Sequence, residues 1–72
     1  MEIKNILIKN AIKYRVAIKK EIELCELLGE ELEESGIYRM YSTRWGALAE
    51  TIREAGLWEE YVDCLMVELD RK

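Results

Sequence analysis

IKYRVAIKKEIELCELLGEELEESG, residues Ile12–Gly36, decides the fold, because it opens like a strand and continues like a helix. Ile12, Tyr14, Val16 and Ile18 occupy every second position of IKYRVAIK, the alternation of a half-buried strand in residue types that suit one. A strand here would need turn residues on both sides. No glycine, Asn-Gly or Asp-Gly pair separates it from MEIKNILIKN before it or from KKEIELCELLGEELEE after it, and glutamate, lysine and leucine strongly favour helix. Helix is therefore the reading for the whole stretch, and an all-α fold follows from it.

At 100° per residue, Ile3, Leu7, Ala11, Tyr14, Ile18, Cys25, Leu28 and Leu32 fall on one broad face, which predicts a long amino-terminal helix over about residues 3–34. Gly29 lies on that face, where it would let a neighbouring helix approach or allow a bend. Ser35-Gly36 reads as the stop, since a glycine just past a helix can take the left-handed conformation. Glu21 points to the same inward face, with Arg39 or Arg44 as candidate partners for its charge.

A second apolar stripe, Ile8, Ile12 and Val16, runs well off the main face at four-residue spacing. Lys4, Arg15 and Lys19 flank it on one side and Lys9, Lys13 and Lys20 on the other. A helix packed on a single core needs only one apolar face. The stripe is either a second packing surface, within the chain or against a second copy, or a partner groove with a basic rim. Ile8, Ile12, Val16, Lys9, Lys13 and Arg15 are accordingly candidate interface residues.

The remainder predicts a connector over residues 35–42 and a helical hairpin of residues 43–55 and 57–71, giving a three-helix arrangement in a single domain, residues 1–72. Ser42 or Thr43 can cap the first hairpin helix, Gly56 can end it, and Glu59 and Glu60 suit the positive end of the second. IYRMYSTRW, Ile37–Trp45, interleaves aromatic residues with arginine. Such a stretch can plug a bundle corner, stack on unpaired bases, or anchor a protein contact. Tyr38, Tyr41 and Arg44 join the candidate interface on that ground. The last helix, with Glu59, Glu60 and Asp63, would repel DNA phosphates, so a helix-turn-helix reader is disfavoured.

Seventy-two residues can bury only a marginal core, yet half of them are apolar. Some apolar surface must then stay outside, which favours association. Net charge is −4, unevenly spread. Residues 1–20 carry six basic side chains against Glu2, while residues 21–36 carry seven glutamates and no basic group. An antiparallel copy would set opposite charges side by side.

Cys25 and Cys64 stand far apart among apolar residues and read as free thiols packed like small hydrophobes. With no histidine, a metal site and a cysteine or serine nucleophile both lack a partner, and no glycine-rich phosphate loop is present. No cofactor, metal or enzymatic activity is expected. The charged amino terminus matches neither a secretory signal nor a membrane span, so the expectation is a cytoplasmic protein that acts without a membrane.

Function is then expected to be binding: a small acidic adaptor or inhibitor that engages a larger protein through helix faces, as a homodimer or higher homo-oligomer. In size, acidity and absence of active-site chemistry the chain resembles small mobile-element proteins that block nucleic-acid machinery, such as anti-CRISPR proteins. That likeness is one of class, carried by no motif. It implies the alternative that the glutamates of residues 21–34 and 59–68 imitate phosphates, or that nucleic acid itself is bound.

Overall fold

With no proline and no internal turn signal, Ile3–Leu28 forms one unbroken helix, α1, in the computed structural model, which describes residues 3–70. Gly36–Glu54 forms α2 and Trp58–Asp70 forms α3. Among the described residues there is no strand, and the fold is all-α. The expected end of the last helix at Arg71 lies outside the described residues.

The helix boundaries in the middle of the chain differ from those expected. Gly29 stops α1 rather than bending it: at φ +70° it takes the left-handed position, its N–H donating to the Glu26 carbonyl at 3.3 Å while the Glu30 N–H donates to the Cys25 carbonyl at 3.0 Å. This paired ending satisfies carbonyls that the helix leaves open. A side chain at Gly29 would meet nothing within 4 Å, so backbone conformation, and not a close helix neighbour, is what glycine serves there.

Leu32–Glu34 then makes a single 3₁₀ turn. Ser35, expected as a stop, is a start: its Oγ accepts the Tyr38 N–H at 3.1 Å and caps α2. The predicted connector, residues 35–42, therefore lies almost wholly inside α2. Ser42 and Thr43 are mid-helix, and the Thr43 hydroxyl donates back to the Arg39 carbonyl at 2.9 Å. Electrostatics explains the shift. The glutamates at 30, 31, 33 and 34 would face the negative end of a longer α1, whereas in place they precede the positive end of α2.

A second left-handed glycine, Gly56 at φ +72°, ends α2 by the same hydrogen-bond pair, Gly56 to Arg53 and Leu57 to Ile52. Here the sequence reading and the structure coincide. At about 1.5 Å per residue α1 runs about 39 Å, matching the 40 Å long axis of the molecule. The successive contacts Ser35 to Glu21, Tyr41 to Tyr14, and Ile52 beside Ile8 and Ala11 show that α2 lies antiparallel to α1. α3 sets out from the end where α1 begins, with Lys4 Nζ 3.6 Å from the Glu60 carboxylate.

Ile8, Ala11, Ile52 and Tyr61 form the buried centre, ringed by Leu7, Ile12, Trp45, Leu48, Leu57, Trp58, Val62 and Leu65. Tyr61 is 1% exposed, and its hydroxyl accepts the Trp45 indole N–H at 2.8 Å. That bond answers the polar tip of a buried aromatic ring, whose burial is costly if unpaired. Ala11 and Ala49, both buried, keep the interhelical space narrow.

The covered arc of α1 is rotated from the one expected. Ile3 and Leu28, placed inside by the wheel, are 76% and 59% exposed, while Ile8, placed on the outer stripe, is core. α1 packs against both α2 and α3, and the covered arc centres on Ala11 and Ile18, both buried. Among the described residues no helix is long and apolar enough to cross a membrane.

Candidate functional site

A trough of about 850 Å³ lies between α1 and α3. Ile12 and Val16 form its half-buried apolar floor, with Ile8 beneath. Lys9, Lys13 and Lys20 rise along the α1 side; Glu60, Cys64 and Glu68, four residues apart, line the α3 side. From Asn5 to Lys20 the α1 wall extends roughly 22 Å. Volume alone suits a compact ligand as well as a chain, but the trough follows a helix axis for four turns, which suits something elongated.

Among the described residues, Lys9, Lys13 and Lys20 meet no carboxylate within ion-pair distance, while Glu60 is held by Lys4. A row of unneutralised ammonium groups beside an apolar floor favours an occupant that is apolar on one side and acidic on its edge.

Five of the expected interface residues, Ile8, Ile12, Val16, Lys9 and Lys13, thus come together. Of these Ile8 is core and out of reach of a partner. Arg15 is half-buried and forms no part of the trough wall. Glu60, Cys64 and Glu68 were not expected. Their common edge on α3, at i, i+4 and i+8 beside the apolar face, is the signal that would have found them.

Tyr38, Tyr41 and Arg44 lie elsewhere, on α2. The Tyr41 ring sits 5.8 Å from that of Tyr14. Arg44 donates to the Tyr14 hydroxyl at 3.3 Å and places its guanidinium 6.0 Å from the ring centre. Arg39 donates to the Glu33 carbonyl at 3.0 Å, fastening the 3₁₀ turn to α2. Neither arginine meets Glu21. That carboxylate accepts the Ser35 hydroxyl at 2.6 Å and faces the Cys25 thiol at 3.7 Å, so a neutral donor on the α2 cap does what an arginine was expected to do. The aromatic and arginine stretch is occupied in tying α2 to α1 and to the turn before it.

Both cysteines are free. Cys25 is buried as expected, and burial, then the charges of Glu21 and Glu30 with the Glu21 hydrogen bond, push its thiol above the ordinary 9.0. Cys64 departs from the expectation of a packed thiol. It is exposed, on the trough wall, because its position on α3 is one step outside the Tyr61 and Leu65 face.

Comparison with known protein families, characterised proteins and solved structures finds no match.

Proposed function

We propose that this protein is a non-catalytic interaction module, a small adaptor or inhibitor whose α1–α3 trough receives an amphipathic helix of another polypeptide. The observation that carries this reading is the floor of Ile12 and Val16 running alongside Lys9, Lys13 and Lys20, which make no ion pair among the described residues. Helix-in-groove recognition uses an apolar row spaced at three and four residues, with charge on the flanks. The Tyr14, Tyr41 and Arg44 cluster gives less support to nucleic-acid binding, since stacking on bases needs rings and guanidinium groups that are free to leave their neighbours.

A photo-crosslinking amino acid at Lys13, an exposed rim position, tests the proposal in cells producing the protein, with Glu50 on the outer side of α2 as control. The expected result is a discrete polypeptide adduct from position 13 and none from position 50. No adduct from position 13, or the same adducts from both, overturns it.

A further inference from the structure

The α1 wall of the trough continues beyond α3. Ile6, Lys9, Lys13, Val16, Lys20, Glu23 and Leu27 follow one another at alternating three- and four-residue steps, so they share one edge of the helix, apolar at Ile6, Val16 and Leu27 and charged between. None of the seven is buried, and Leu27 is 82% exposed. The basic members all come first and the acidic and leucine members last. Neither Lys20 nor Glu23 makes an ion pair within the chain among the described residues. A parallel partner would stack lysine on lysine, whereas an antiparallel one of the same sequence reverses the order and matches it.

We propose that α1 of a second copy packs antiparallel along this edge, about a two-fold axis between Glu21 and Ile22, so that its last turns enter the Lys20 end of the trough. This rests on the interaction reading above and names its partner. In that register Lys20 of each copy faces Glu23 of the other, and Leu27 of each covers Val16 of the other, at one end of the floor that the single chain leaves half-open. Lys13 then approaches the acidic turn that follows Leu28 of the second copy. The contact is isologous, so every favourable pair occurs twice and the assembly closes as a dimer.

Sedimentation equilibrium on the purified chain tests the pairing. The parent is expected to dimerise, more weakly at high salt because the rim pairs are screened. Lys20→Glu and Glu23→Lys should each weaken the dimer about tenfold or more, and the double swap should restore most of the loss. Leu27→Asp should leave helicity and melting of the monomer unchanged while abolishing association. A parent that stays monomeric at high concentration, or a double swap no better than either single, overturns the pairing. If position 13 then still crosslinks to a different polypeptide in cells, the interaction module survives without self-pairing; if it crosslinks to nothing, both fall.

Discussion

The two ends of α1 are held by different means. Near its start, three helices meet and the contact is apolar: Ile8, Ala11, Ile52 and Tyr61 exclude water and a single indole to phenol bond supplies the direction. Near its end only α2 and the 3₁₀ turn reach it. Ile18 and Cys25 are buried there outside the main cluster, and the join is a polar clasp of Ser35, Glu21 and the Cys25 thiol. One end has enough neighbours to stabilise itself by burial. The other has too few, and its geometry depends on hydrogen bonds and on a glycine that turns the chain back.

The sharpest way to break this contrast is at Tyr61. Tyr61→Ala removes a fully covered ring and should cost about 3–5 kcal/mol, a large part of the stability of a domain this small, seen as loss of cooperative thermal unfolding. Tyr61→Phe keeps the ring and strands the Trp45 N–H, so its smaller loss isolates the hydrogen bond. Ser35→Ala attacks the opposite end and removes both the α2 cap and the partner of Glu21. A loss of about 1–2 kcal/mol is expected by chemical denaturation, with faster amide exchange confined to the start of α2 and the last turns of α1. Exchange that quickened equally around Ile52 would show the two ends to be one cooperative unit.

Gly29→Ala forces a side chain into the left-handed region and should cost about 1 kcal/mol, with no clash to add since the surrounding space is open. The smallest effect is expected from the thiols. Cys64 should react with an alkylating reagent in the native state and Cys25 only on opening. Because the folded Cys25 thiol holds its proton above 9.0, the unfolded chain ionises first. The contribution is intact below that value and is lost progressively as pH rises toward the raised one. Cys25→Ala should flatten this alkaline decline relative to the parent, measured as the difference in melting temperature across that range.

Much of the contrast was legible in the residues, but unevenly. The helical reading of Ile12–Lys19 and the Gly56 joint follow from local rules that no tertiary contact opposes. The middle was misread because two signals at Gly29 and Ser35 each have two meanings. A glycine on an apolar face can be a close approach or a stop, and a serine before glycine can end one helix or begin the next. Helical phase, with Leu32 in step with Ile3, favoured continuation. The glutamates between them favoured a new helix start, and they decided the outcome. The trough was half-visible for a different reason: its α1 wall is a pattern within one helix, whereas its α3 wall depends on the angle at which α3 leaves the Gly56 joint, which no local pattern encodes.

The placement of the aromatic rings has an optical consequence. Trp45 touches Tyr61 and Trp58 lies beneath Arg53, whose guanidinium carbon is 4.4 Å from the ring centre, so both indoles lie where three helices meet. Tyr14 and Tyr41 pair farther along, where only two do. Light absorbed by indole alone therefore reports on the docking of α3 without a contribution from the Tyr14 and Tyr41 pair, which answers to the separation of α1 from α2.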